Sequence, residues 1–220
     1  AVITLFLHNL NYVKTLQGDL SMPRIVDHQE RKAMIASAAC AAIARRGLEA
    51  VTLADVSKEA DCSTGTITHY FADKNEVLVA ALDHAIETMN SRMERKLRQD
   101  PEDIIGFLSE ALPLSRCGRD ETKVWFCFWS RAMHDSELGL MQRSMHCRWR
   151  GKVDRLLEGM VKRGEICVNC GAEDEAEALC ALINGIGLRA TLDPENWPAK
   201  RQVKTLEDHL AHLAPKASVH

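Results

Sequence analysis

Asp61-Cys-Ser-Thr-Gly-Thr-Ile-Thr-His-Tyr-Phe-Ala-Asp-Lys74 decides how the chain is read. Asp61-Cys62 is turn chemistry, and Ser63 or Thr64 supplies a hydroxyl able to cap the N-terminus of a helix. Ile67 and Phe71 then fall four apart on one face, which points them into a core. Thr64 and Thr68 share another face, with Gly65 and Thr66 at the N-terminal end. Upstream, Thr52 precedes Leu53, Val56 and Ala60, and Asp55 follows it by three residues, approximating a capping box. Two short helices across a tight turn make the spacing a helix-turn-helix.

Short hydroxyl side chains and a glycine let a helix lie close to base edges in a major groove, and the positive end of a helix favours phosphate. On this reading Ser63, Thr64, Gly65, Thr66 and Thr68 form the reading helix. Tyr70 and Lys74 are placed to donate to backbone phosphates, as is Thr52 through its hydroxyl and adjacent amides. An ordinary capped helical hairpin fits the same spacing.

Working outward, Ile35, Ala38, Ala39, Ala42 and Ile43 recur at helical spacing, with Arg45-Arg46 in the last turn and Gly47 as the stop. Asp73 is a good N-cap for a long helix carrying Val77, Leu78, Ala81, Leu82, Ala85, Ile86, Met89, Met93 and Leu97. Pro101 opens a helix that Pro113 closes, and Ser115 to Asp120 reads as loop. Glu121 to His134, Ser136 to about Gly164, Ala172 to Leu192 and a last segment to about Leu213 complete the pattern. With no strand alternation and no internal repeat, the fold class is all-α. A three-helix helix-turn-helix domain is expected over residues 22 to 74, followed by a helical bundle over residues 75 to 220, the expected place of effector binding and dimerisation.

The 220 residues carry a net charge of -3, and residues 22 to 74 hold seven Lys/Arg against seven Asp/Glu. A general polyanion-binding surface is excluded by those counts, so any phosphate contact rests on local placement. The eight cysteines are dispersed through helices in a chain apolar enough not to need a disulfide scaffold, which points to a reducing cytoplasm. Residues 1 to 21 open on an apolar run too short to span a bilayer and lacking a signal-peptide pattern. They are expected to be a dispensable extension ahead of Met22-Pro23.

The stretch from Thr52 to Asn75, above all its Tyr-Phe-x-x-Lys ending at Tyr70 to Lys74, resembles the DNA-binding signature of TetR-family repressors. The resemblance implies DNA contacts at Thr52, Thr64, Gly65, Thr66, Thr68, Tyr70 and Lys74, and assigns His69 to packing. Ala54 stands where some members offer an arginine to a base, so that contact is absent. Residues 63 to 75, Lys123 to His134 and Leu182 to Ala190 are similar to segments of BetI-type repressors, which control choline-to-glycine-betaine genes. Gly187 departs from that pattern, standing where a bulky aromatic is expected.

Such a repressor needs a cavity for an effector. Trp125 and Trp129, four apart, and the adjoining Phe128 can hold a quaternary ammonium through cation-π attraction of about 0.5 to 2 kcal/mol per contact. Choline, a related methylated cation or a betaine-like metabolite suits that wall. Met133, His134, Met145, Trp149 and Asn184 are further candidate linings, although core packing alone explains aromatics and methionines at this spacing. A single head reads few base pairs, so a homodimer on a palindromic double-stranded operator is expected. Leu179, Leu182, Ile183, Ile186, Leu206, Leu210 and Leu213 either form its interface or pack within one protomer.

Cys167-x-x-Cys170 is the competing motif: it suits a redox switch or half a zinc site, and would make the protein a redox- or metal-sensing regulator. His146 with Cys147, or the same cysteine pair from a second copy of the chain, would have to supply the missing ligands, while His209-x-x-His212 reads as a solvated pair. A helical enzyme is a more remote alternative, since no phosphate loop, His-Glu-x-x-His or nucleophile elbow is present. The expectation is a regulator with no cofactor, no catalytic residues and no membrane contact.

Overall fold

The computed structural model describes residues 23–168 and 171–215, with side chains from His28 onward. Residues 1 to 21 and Cys170, to which roles were assigned above, lie outside the described residues. Among those described, every regular element is a helix: α1 (Pro23–Arg46), α2 (Leu53–Glu59), α3 (Thr64–Tyr70), α4 (Lys74–Gln99), α5 (Ile104–Ser109), α6 (Arg116–Ala132), α7 (Ser136–Arg163), α8 (Ala172–Leu192) and α9 (Ala199–His212). None is long and apolar enough to cross a membrane. The described residues divide into two compact units, one running as far as His84 and taking in Cys127–Ser144, the other made of Ala85–Phe126 and the described residues from Met145 onward.

In the first unit α1 packs on α2 and α2 on α3. Ile35, Ala39, Ile43, Val51, Val56 and Ile67 are each at most 1% exposed, so the apolar stripe of α1 closes over both short helices. Seven-residue helices are not stable alone, and burial of Ile67 and Phe71, about 1.5 to 3 kcal/mol each, holds α3 in place. Caps define both ends. Thr52 Oγ1 accepts from the Asp55 amide at 3.2 Å while the Asp55 carboxylate accepts from the Thr52 amide at 2.9 Å, completing the capping box. Ser63, rather than Thr64, caps α3, with its Oγ accepting from the Thr66 amide at 3.0 Å. Asp73 Oδ1 accepts from the Glu76 amide at 2.9 Å ahead of the next turn of α4.

The second unit has one core, where Phe107, Leu108, Val153, Leu157, Leu179, Ile183, Ile186, Leu206 and Leu210 meet. Most of the candidate dimer-interface leucines and isoleucines therefore pack inside their own protomer. Two boundaries differ from the sequence reading. The helix after Pro101 begins only at Ile104, because Asp103 caps it and accepts from the Gly106 amide at 2.7 Å. That approach needs glycine: a Cβ at 106 would lie 1.9 Å from Asp103 Oδ2. The expected loop from Ser115 to Asp120 is instead the first turn of α6, opened by Ser115 Oγ accepting from the Gly118 amide at 3.0 Å.

Candidate nucleic-acid interface and effector residues

The surface of α3 follows from which side of it is buried. Ile67 is fully enclosed, whereas Thr64, Gly65, Thr68 and His69 are exposed and Thr66 and Tyr70 half-buried. His69, expected to pack, instead stands in the open with its ring edge-on to Tyr70 at 5.1 Å. Gly65 and His69 lie opposite Ile67 around the helix, flanked by Thr64 and Thr68 on one side and Thr66 and Tyr70 on the other.

Hydrogen bonding decides what each hydroxyl can still do. Thr68 Oγ1 donates to the Gly65 carbonyl at 3.1 Å, so only its lone pairs and methyl group face outward. Ser63 Oγ and Thr66 Oγ1 share a bond at 2.9 Å. Thr64 has no side-chain partner among the described residues and remains free to donate. Thr52 is more committed: its hydroxyl donates to Asp55 Oδ2 at 2.7 Å and its amide to the same carboxylate. The amides at this end of α2 that the helix does not use are those of Leu53 and Ala54. The Thr52 hydroxyl and amide hold the Asp55 carboxyl below its ordinary range, aided by Arg46 at 2.8 Å and by Lys58.

Tyr70 presents a phenolic hydroxyl with no partner among the described residues, its ring 4.7 Å from His28 of α1. Lys74 Nζ donates to the Glu49 carbonyl at 3.3 Å, which ties the α1–α2 connection to the start of α4. Along the Thr66 and Tyr70 flank runs an open recess of about 610 Å³, lined by Ser63, Gly65, Thr66, His69, Tyr70 and Arg31. Arg31 was not singled out by sequence reading. It lies on α1, and only the fold brings it beside α3.

The candidate effector residues are placed less uniformly. On α6, Phe128 is buried, and Trp125 and Trp129 are half-buried. Trp129 Nε1 donates to Gln142 Oε1 at 3.0 Å, leaving the buried Gln142 Nε2 without a partner. An orphaned buried amide marks a place for an acceptor. Met133 is 75% exposed and His134 is also exposed, so neither helps enclose a ligand in this state. Met145 is buried, and Trp149 stacks on Phe107 at 5.8 Å against the second core. Asn184 is half-buried on α8. A Cβ at Gly187 would sit 3.6 Å from Thr122 and 3.8 Å from Phe126, which hold the space a larger residue there would take.

A polar cluster that sequence spacing does not reveal lies in the same unit as Trp125. Arg92 Nε donates to Glu110 Oε2 at 2.8 Å and its Nη2 to Glu121 Oε2 at 2.7 Å. Glu121 is 5% exposed. Its hydrogen bond is the main reason the guanidinium is held more firmly protonated than usual. The Cys117 thiol donates to Glu121 at 3.2 Å, and burial first and this carboxylate second push it up. Burial likewise pushes the Cys180 thiol up to about 12.

The competing motifs are drawn elsewhere. His146 Nε2 lies 3.0 Å from Glu177, and His209 Nε2 lies 2.7 Å from the buried Glu175, so the His209 and His212 pair is not simply solvated. Among the described residues no group of three or more His, Cys, Asp or Glu could hold a metal ion. Cys167 is exposed, with its amide bonded to the Leu213 carbonyl at 2.7 Å.

A capped three-helix head presenting hydroxyls and a glycine on an exposed short helix is the build of a helix-turn-helix DNA-binding protein. Comparison with known proteins gives the family. Residues 35–81 match the model described as bacterial regulatory proteins, tetR family, and residues 101–215 match that described as BetI-type transcriptional repressor, C-terminal. The HTH-type transcriptional regulator BetI of Vibrio parahaemolyticus is 30% identical over 194 residues, covering 86% of this chain and 94% of that one. The regulator PksA of Bacillus subtilis is 29% identical over 195 residues, covering 87% and 94%. A putative transcriptional regulator from Saccharomonospora viridis, solved in complex with choline, shares the fold with a TM-score of 0.75 at 24% identity, covering 84% of this chain and 98% of that one. The chain belongs to the TetR family of bacterial regulatory proteins, with a C-terminal region of the BetI type. It is a transcriptional regulator and not an enzyme.

Proposed function

We propose that the protein is a ligand-responsive repressor that holds a palindromic DNA operator as a homodimer and releases it when a small molecule binds the domain of residues 75 to 220. The observation that carries this reading is the exposed face of α3, with Thr64, Gly65 and Thr68 outward and Ile67 locked inward. Because the Thr68 hydroxyl already donates to Gly65, it meets a base as an acceptor from adenine N6 or cytosine N4, or through its methyl group against thymine. Thr68→Ala therefore relaxes sequence preference without altering the salt dependence of binding. A selection from random duplexes, repeated with the variant, measures this; an unchanged preference would remove Thr68 from base reading.

Two heads about 34 Å apart are needed for useful specificity. Support for a dimer comes from α8, where Ala178, Ala181, Gly185, Leu188 and Leu192 are exposed at alternating spacings of three and four. This face, rather than the leucines buried in the protomer core, is the surface we assign to the second copy. Mass measurement in solution decides it, and Leu188→Glu with Leu192→Glu should give monomers.

For the effector, Phe128, Trp129 and the unpaired Gln142 amide favour a cationic head with an acceptor group, such as choline or a betaine-like metabolite in the cytoplasm. Since BetI and PksA resemble the chain equally well, family likeness alone does not choose the ligand. Calorimetric titration with choline, its aldehyde and methylated sulfur analogues, paired with DNA affinity measurements, is the test. No heat and no change in DNA affinity with any of them would eliminate this ligand class.

A further inference from the structure

Most of the basic side chains of the head among the described residues are engaged. Arg45 is held by Glu59, Arg46 by Asp55 and Lys74 by the Glu49 carbonyl, while Lys32 lies 5.4 Å over the Phe71 ring and Lys58 extends from an exposed position on α2. Arg31 differs. It is half-buried and makes no ion pair or hydrogen bond among the described residues. The other side chains of the recess it lines are hydroxyls, an imidazole and a phenol, with no carboxylate among them. The Arg31 guanidinium is therefore available to an anion that enters the recess.

Geometry says which anion suits it. The recess runs along the Thr66 and Tyr70 flank of α3, on the other side of Gly65 and His69 from Thr64 and Thr68. Arg31 is set back on α1, so a duplex lying against Gly65 and His69 brings it the backbone at the groove rim before any base edge. The free Tyr70 hydroxyl is a second donor in the same recess, and a planar guanidinium grips two phosphate oxygens at once. We propose that Arg31 is a DNA-contacting residue that holds one backbone phosphate from α1, closing the side of the interface that the helix-turn-helix itself leaves open. The proposal rests on the DNA-binding reading above.

The test uses the full chain, an operator selected by the wild-type protein from a random duplex pool, and an unrelated duplex, with anisotropy titrations from 50 to 200 mM salt. Arg31→Ala should weaken binding to both duplexes by a similar factor and lower the magnitude of the salt slope by about 0.9, the value for one phosphate. Arg31→Lys should restore most of the slope. Arg31→Gln, which keeps length and polarity, repeats the loss if the alanine variant is poorly folded, and thermal unfolding of each variant reports folding. An unchanged slope overturns the proposal. Weakening confined to the operator overturns it as well, since it would make Arg31 a base reader. A wild-type protein that binds neither duplex removes the DNA-binding reading instead, a result distinct from a variant that merely matches the wild type.

Discussion

The two units differ in which polar groups shape their helices. In the head, the bonds that shape α2 and α3 run between residues three apart: Thr52 with Asp55, Ser63 with Thr66, and Thr68 with Gly65. In the second unit they span long stretches of chain, with Arg92 reaching Glu110 and Glu121 across 18 and 29 residues and Lys152 reaching Asn90 across 62. The head's caps are exposed and individually small, whereas the Arg92 cluster sets two carboxylates against one guanidinium with little water present. The difference suits the two tasks. On the proposed function, a reading surface calls for local rigidity and a switching domain for polar contacts that depend on how separate helices are disposed.

The sharpest way to break this contrast is at Arg92. Removing it leaves Glu121 buried without its partner, and breaking such a pair costs about 3 to 5 kcal/mol. Arg92→Ala should therefore lower the denaturant midpoint strongly. Glu121→Gln added to it should recover part of the loss, because the uncompensated charge is then gone. A loss under about 1 kcal/mol would mean that solvent reaches the cluster freely and that the two units differ less than their hydrogen bonds suggest.

Lys74 tests the other side. If its ammonium leaves the Glu49 carbonyl for a phosphate, Lys74→Ala should weaken binding to operator and unrelated duplex alike, on the order of tenfold, and flatten the salt slope by about 0.9. Stability should fall only slightly, since the lost bond is an exposed one at 3.3 Å. Loss of sequence preference in this variant would erase the division between base-reading and phosphate-holding residues. At Ser63 the expected effect is smaller still: Ser63→Ala removes the cap of α3 and should cost about 1 kcal/mol of unfolding free energy.

Acid exposes the same local character. Hydrogen bonds from Thr52 depress the Asp55 carboxyl, so its contribution is present above the pKa of the unfolded chain and is lost as pH falls through the lower folded value. The stability of Thr52→Ala should accordingly vary less with pH below about 4, the ordinary aspartate pKa, than that of the wild type. Parallel acid profiles for the two proteins would detach Asp55 from the cap.

What the sequence disclosed follows the same division. Caps and apolar stripes are local, so Thr52, Asp73, Ile67 and Phe71 were readable from spacing alone, and the cap of α3 was narrowed to Ser63 or Thr64. Periodicity says that Leu179, Ile183 and Leu206 face inward but not against what, and they meet one another inside the protomer. Arg31 beside Tyr70, Arg92 between two glutamates and the Gln142 amide beside Trp129 come together only on folding. The start of α6 was hidden because Gly118 reads as a loop residue, yet its small size fits it 3.2 Å from the Leu112 carbonyl, as measured from an added Cβ.

The smallest effect concerns the turn from which the reading began. Asp61 has a φ of 48°, left-handed backbone that suits glycine, and the Cys62 amide closes the turn on the Ser57 carbonyl at 3.0 Å. A non-glycine residue there costs on the order of 1 kcal/mol, at the low end because aspartate tolerates this region better than most. Glycine relieves that strain but gives the unfolded chain more freedom, which takes back about 0.4 to 1 kcal/mol. Asp61→Gly should therefore shift Tm upward by no more than about 2 °C and leave operator affinity unchanged. A clear fall in Tm would show that the Asp61 side chain contributes to the turn, making even this locally coded corner of the head dependent on a contact that spacing does not reveal.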